Sequence, residues 1–215
     1  MITSGQILAE GYSFIHIPKN AGTAIIQAIT ANQLPVRWSG HAYPRQLARN
    51  EVVVLRCPIR RFSSAFHYAK KYWPNPVNSR FESANELAES ASDQEHPKYA
   101  MAVVEMGNQP EHYLRRNGVA MAQQSVGGRI LQFTWAYEPQ SSWLMNQPQV
   151  ILRYRHLQGD FSRFASRLTG STVNDLPLLN VSNVGTQNLS PRATAFLERI
   201  YAEDFAFIRK HQLDV

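Results

Sequence analysis

A lysine, a glycine and a threonine fall within five residues in Tyr12-Ser-Phe-Ile-His-Ile-Pro-Lys-Asn-Ala-Gly-Thr-Ala-Ile26, where an apolar run breaks at Pro18 and a second begins after Gly22. That order suits an anion site. A helix beginning near Thr23 leaves its first amide hydrogens without intrahelical partners and carries partial positive charge at that end, so a phosphate there gains donors and a favourable dipole. Gly22 allows close backbone approach, Thr23 adds a hydroxyl and Lys19 a full charge. On this segment alone an ordinary strand-to-helix turn with a surface lysine explains the residues equally well.

A second segment supplies another cation at a comparable place. Glu51-Val-Val-Val-Leu-Arg56 reads as a buried strand ending in arginine, and Cys57-Pro-Ile-Arg-Arg-Phe-Ser-Ser-Ala-Phe-His-Tyr68 follows. Proline suits a first helical turn, and apolar residues recur at Ile59, Phe62, Ala65 and Phe66, so Ser64 lies two turns into a helix. Ligands of open α/β sheets collect at the carboxyl ends of parallel strands, which is where Arg56 would stand beside the Lys19 loop. Two such elements on neighbouring strands suit a ligand with two separated phosphates.

The elements that must position these residues alternate. Strands are expected over 12–17, 51–55 and 149–154, with a weaker one over 36–40, and helices over 22–32 and 59–72. This rhythm predicts a parallel sheet covered on both faces. Residues 73–128 read as a helical insertion, with helices expected over 84–90 and 98–106, either walling an acceptor pocket or closing over it as a mobile lid, or else serving only as a packing subdomain. A helix over 157–168 should end at Gly170. Ser190-Pro191 reads as a cap and first-turn proline, and Ala193, Phe196, Leu197, Ile200, Tyr201, Phe205 and Ile208 form the apolar face of one terminal helix. No second domain is expected, so the chain is taken as a single domain over 1–215.

Taken in order, the motifs resemble those of sulfotransferases that use 3'-phosphoadenosine 5'-phosphosulfate, especially the carbohydrate branch containing the heparan-sulfate uronyl 2-O-sulfotransferases. His16-Ile-Pro-Lys-Asn-Ala-Gly-Thr23 is similar to the family's 5'-phosphosulfate loop, and Arg56-x-Pro58-x-x-Arg61-x-x-Ser64 to its 3'-phosphate motif. Gly40-His41 matches the place where this branch carries a histidine regarded as the base. Tyr137-Glu-Pro-Gln-Ser-Ser-Trp-Leu144 and the segment from Val150 to Phe161 resemble later stretches around a core strand. The resemblance implies a three-layer α/β fold with a central parallel sheet, P-loop-NTPase-like in architecture. It implies Lys19 and His41 as catalytic residues, with Lys19, Asn20, Ala21, Gly22, Thr23, Ala24, Arg56 and Ser64 holding the nucleotide. No essential metal is expected, because Walker-type loops that hold magnesium place the lysine after the glycine turn with a hydroxyl directly behind it, and here the lysine comes first. Two positions depart from it: Cys57 replaces an acidic residue, and Arg155 stands where relatives commonly carry a glutamate.

Several roles stay open on the residues themselves. Histidine titrates near neutrality and can take a hydroxyl proton, yet a histidine at a strand end such as His41, taken alone, is more often structural, and it is the family position that brings the role of base level with that reading. His16, in the strand before the loop, reads as a packing or loop-supporting residue. Arg61 either meets the nucleotide or covers the sheet. Gln140 and Trp143 either line the acceptor site or are a turn glutamine and a core tryptophan. His67, His96, His112, His156 and His211 lack metal-ligand spacing.

Composition bounds these readings. At 215 residues the chain can bury one sizeable core, and 44% hydrophobic residues with four tryptophans argue against disorder. One cysteine rules out an internal disulfide framework and fits a reducing compartment. Without a charged stretch and apolar run at its start, and with Glu138, Pro139 and Pro148 interrupting the most apolar later region, the chain is expected to be cytoplasmic and unattached to membranes. A formal charge of +6 favours anionic partners. Nucleic acid is not expected among them, because the basic residues are dispersed and no zinc finger, basic zipper or RNP-type aromatic pattern is present. The expected partner is a small-molecule or glycan acceptor. Two other functions stay in view: a phosphate-loop nucleotide kinase or phosphotransferase, disfavoured because the lysine precedes the glycine turn, and a non-catalytic binding module for anions or nucleotides.

Overall fold

The computed structural model describes residues 11–38, 50–72, 74, 76–106, 124–126, 129–131, 134–144, 147–173, 176–177 and 189–215. In chain order the elements are β1 (Tyr12–Ile15), α1 (Gly22–Ala31), β2 (Val36–Trp38), β3 (Glu51–Leu55), α2 (Pro58–Tyr72), α3 (Ala84–Ser92), α4 (Tyr99–Met106), β4 (Gln124–Val126), β5 (Arg129–Leu131), β6 (Val150–Arg153), α5 (Leu157–Thr169), α6 (Pro191–Ile200) and α7 (Ala202–Lys210). Two compact units result. The first gathers Met1–Cys57, Trp143–Ser182 and Phe207–Val215, and the second Pro58–Ser142 and Asn183–Ala206.

The first unit holds a four-stranded sheet in the order β2-β1-β3-β6, with every pairing parallel. Its centre follows from β3, whose Val52, Val53, Val54 and Leu55 are all buried, as a strand covered on both faces requires. Branched side chains favour this extended backbone because they lose little rotamer freedom in it. Register places Ile15 opposite Val53 on one side of β3, and Val53 opposite Ile151 on the other. Helices α1 and α5 bring Ile25, Ala28, Ile29, Phe161, Phe164, Ala165 and Leu168 onto Phe14, Val52, Val54 and Leu152. Ser13, Ile15, Val53 and Leu55, alternating with that set, are buried as well. The α/β class and parallel sheet expected from the sequence are therefore present.

Local signals account for where these elements stop. Helix α5 ends at Gly170, whose φ of 70° is open to glycine without a Cβ penalty, and its amide closes the last turn on the Ser166 carbonyl at 2.9 Å. At the other end of α5, Asp160 takes the Arg153 backbone amide and two guanidinium nitrogens, each at 2.9 Å. Hydrogen bonds from Arg153 hold the Asp160 carboxyl below the usual aspartate range. This clasp fixes the exit of β6 against the first turn of α5.

The second unit is built on α2, α3, α4 and α6 around Phe62, Phe66, Phe81, Leu87, Tyr137, Phe196, Leu197 and Tyr201. Helices α3 and α4 occupy the stretches expected within 73–128, and β4 pairs antiparallel with β5. The single terminal helix expected from its apolar spacing is interrupted at Tyr201, where φ is −102° and ψ 22°. The interruption has a cause in packing: Tyr201 is buried and its hydroxyl donates to the Tyr137 carbonyl at 2.6 Å. Beyond it, the buried Asp204 accepts the Gln140 and Ser141 amides at 2.9 and 2.7 Å. Apolar periodicity registers none of these hydrogen bonds.

Ser190 caps α6 as expected. Its Oγ accepts the Ala193 amide at 3.1 Å and donates to Glu89 of α3 at 2.5 Å, while its own amide donates to Asn85 Oδ1 at 2.7 Å. Replacing Ser190 by alanine removes the first two bonds and should destabilise the second unit by about 1–2 kcal/mol, a shift in urea midpoint readable by tryptophan fluorescence. A variant that melts like the parent would remove the cap from the account.

Candidate functional site

The turn after β1 is shaped by its own backbone and by β3. Lys19 and Ala21 both have positive φ, 66° and 58°, although neither is glycine. Such backbone costs on the order of 1–3 kcal/mol per residue and persists only where its surroundings enforce it. The enforcing contact is Asn20, which is 1% exposed and donates from Nδ2 to the Val54 carbonyl at 2.6 Å, so the turn is stitched to the strand next door. The Asn20 amide closes the turn on the Ile17 carbonyl at 3.4 Å.

Helix α1 begins directly after the turn. Ala21 stands at its capping position with no side-chain cap, and the ladder opens with the Ile25 amide on the Ala21 carbonyl at 3.2 Å. The amides of Gly22, Thr23 and Ala24 precede that ladder and form the electropositive end of the helix, with Thr23 exposed. The glycine is required for a steric reason different from the one read in the sequence. A Cβ at Gly22 would overlap the His16 imidazole, which lies against the first turn of α1 and stacks near Phe14 at a centroid distance of 6.0 Å. His16 thus supports the loop, as expected.

Arg56 closes the other side. Leaving the carboxyl end of β3, it donates from Nη1 to the Lys19 carbonyl at 3.0 Å, and its guanidinium carbon lies 4.2 Å from the centre of the Tyr154 ring. Lys19 is half-buried, and burial with the Arg56 charge nearby lowers its pKa from 10.5 to about 8. Two cations are thereby held together at the same end of adjacent parallel strands. The place is also special in topology. From β1 the chain crosses to β2 on one side, whereas β3 and β6 lie on the other, so the crevice between the ends of β1 and β3 is where the strand order reverses. Open α/β sheets bind ligands at such a reversal.

The remaining expected residues fall out differently. Ser64 stands half-buried on α2, in the second unit, and Gly40 and His41 lie outside the described residues, as does His112. Arg61 is fully buried in the second unit, donating to the Ala136 carbonyl at 2.8 Å and to that of Glu138, a structural rather than ligand-facing position. Gln140 and Trp143 are buried too, and Gln140 belongs to the Asp204 cluster. His96 accepts the Lys98 amide, His156 meets Asp214 at 3.1 Å, and His211 packs at a tilt against the Phe207 ring. Among the described residues no group of three or more histidine, cysteine or acidic side chains is arranged to hold a metal, and no helix is long and apolar enough to cross a membrane. Sequence reasoning missed Tyr154 and the anchoring role of the Asn20 side chain; an aromatic residue directly after the last residue of a parallel strand was the available signal for Tyr154. No family model matches the chain, and no curated protein or solved structure does either.

Two measurements follow from this geometry. Gly22→Ala should loosen the turn and destabilise the first unit by about 1–3 kcal/mol through overpacking, whereas in a His16→Ala background the same change should be neutral or stabilising because alanine is the better helix former. Denaturation of the four proteins decides it, and a deficit that persists without the imidazole would refute the steric account. The second concerns charge. Unfolded lysine titrates near 10.5, so between about 8 and 10.5 the unfolded chain keeps a proton that the folded chain has released. Stability should rise with pH across that window, the cost of burying the charge being fully felt below it. Side-chain NMR should place the Lys19 midpoint near 8 and Arg56→Gln should move it upward; a midpoint unmoved by that change would contradict the coupling.

Proposed function

We propose that the chain is a sulfotransferase that moves a sulfuryl group from 3'-phosphoadenosine 5'-phosphosulfate to a hydroxyl of an acceptor, with a carbohydrate the favoured acceptor class, on a three-layer P-loop-like α/β scaffold. The observation that carries this reading is the joining of Lys19 and Arg56 at the point of strand reversal, beside a helix start whose capping residue has no side-chain acceptor. The ordered motifs supply the nucleotide's identity. The donor set fits a polyanion on physical grounds: two cations that raise each other's electrostatic cost are relieved by negative charge placed against them. Fork-shaped guanidinium donors match a terminal phosphate, the feature separating this nucleotide from ATP.

Bound there, the nucleotide would supply an activated sulfuryl group, which passes to the acceptor oxygen as the sulfur–oxygen bond to the phosphate breaks. The chain's share is positioning and charge. The amides of Gly22, Thr23 and Ala24 would hold the 5'-phosphate, and Arg56 the 3'-phosphate. Lys19, still mostly protonated at pH 7 with a pKa of about 8, would face the negative charge that grows on the leaving oxygens, where a fixed cation is most effective in the transition state. A base must take the acceptor's hydroxyl proton as its oxygen attacks, and the resemblance assigns that to His41.

Transfer of labelled sulfate from the nucleotide to a panel of glycans, phenols and small alcohols tests the whole reading. Lys19→Ala should lower turnover by roughly 10²–10³-fold, as loss of a transition-state donor does. Arg56→Ala should weaken adenosine 3',5'-bisphosphate binding by roughly 10–100-fold, and His41→Ala should slow turnover by about 10²–10⁴-fold with donor affinity nearly unchanged. Nucleotide binding without transfer to any acceptor would instead favour a non-catalytic module, and magnesium-dependent ATP turnover a phosphotransferase. No calorimetric heat with the bisphosphate would sink the proposal.

A further inference from the structure

We propose that Tyr154 is the positioning residue for Arg56, holding its guanidinium in the plane from which it would grip the nucleotide's 3'-phosphate; the ligand half of this inference rests on the sulfotransferase reading. Arginine recognises phosphate through planar, paired hydrogen bonds, so the orientation of its plane matters as much as the position of its charge. A hydrogen bond to the Lys19 carbonyl restrains one edge of the Arg56 fork. The Tyr154 ring bears on the guanidinium itself, its centroid 4.2 Å from the guanidinium carbon. Edge and face together define the fork.

Tyr154 is itself unusually well held for a residue that is 38% exposed. It leaves the end of β6, the strand that pairs with β3, so its backbone starts in register beside that of Arg56: Leu55 lies opposite Arg153. On one side Arg153 is clasped by Asp160 through backbone and guanidinium. On the other, Arg155 and His156 both meet Asp214, at 2.9 and 3.1 Å, across the exposed side of the short turn Tyr154–His156. Such anchoring on either side of an exposed aromatic ring is what a platform for a neighbouring side chain needs. Three adjacent parallel strands therefore each contribute one member at their carboxyl ends: Lys19 after β1, Arg56 after β3 and Tyr154 after β6.

The test separates orientation from general support of the fold. Calorimetry on the full chain gives the affinity for adenosine 3',5'-bisphosphate relative to adenosine 5'-phosphate, a ratio that reads the contribution of the 3'-phosphate alone. Tyr154→Leu should lower this ratio about three- to fivefold, the scale of a partly exposed cation–π contact, while Tyr154→Phe, which keeps the ring, should retain it. Equal weakening of both ligands by Tyr154→Leu, or an unchanged ratio, would overturn the inference and leave the sulfotransferase reading standing. A second readout needs no nucleotide: side-chain NMR should show slow guanidinium rotation at Arg56 in the parent and Tyr154→Phe, and faster rotation in Tyr154→Leu. Should the parent bind neither nucleotide, the functional reading fails, and the rotation rates still decide whether Tyr154 restrains Arg56.

Discussion

The turn that carries Lys19 has no regular structure of its own, and two hydrogen bonds to the neighbouring strand give it a shape. Asn20 reaches the Val54 carbonyl from a buried position, and Arg56 reaches the Lys19 carbonyl from the end of the same strand. Because β1 and β3 are parallel neighbours, both contacts span the gap that the sheet itself sets. Charge placement, helix entry and the left-handed residues all depend on this pair of crossings. A buried amide that loses its partner costs about 1–3 kcal/mol, so the Asn20 anchor resists opening by more than one ordinary hydrogen bond would.

The same arrangement explains why cationic groups can be assembled here. Lys19 and Arg56 disfavour each other, and the expense is met by the valine-rich strand beneath them, whose burial belongs to the core rather than to the site. Packing and chemistry are thus divided along the strands: the middle residues of β1, β3 and β6 stabilise the sheet, and the residues just past their carboxyl ends are left for ligand work. The Arg153–Asp160 clasp sits at that boundary and faces both ways, tying α5 to the sheet and setting the direction in which the chain leaves it.

Much of this was legible in the sequence because it depends on local pattern. The run of branched residues over 52–55, the caps at Ser190 and Gly170, and the lysine and arginine beyond strand ends all announce themselves within a few residues. What escaped depends on contacts between distant segments. Arg61 has the spacing of a ligand-binding residue, yet its guanidinium is consumed by carbonyls 75 and 77 positions away. The interruption at Tyr201 is set by a hydroxyl reaching Tyr137, and the glycine requirement at Gly22 by an imidazole six residues upstream. The positive φ angles at Lys19 and Ala21 were hidden for another reason: neither residue type advertises that conformation. The base expected at His41 lies outside the described residues.

The left-handed alanine at position 21 bears on how this turn would tolerate sequence drift. Glycine there would relieve the folded backbone but also widen the range of shapes open to the unfolded chain, and these two effects oppose each other. Position 21 can therefore wander between small residues with little net change. Position 20 cannot, since any neighbour lacking a short amide would abandon the Val54 carbonyl in the interior. In a set of divergent descendants, Asn20 would vary more slowly than the alanine that follows it.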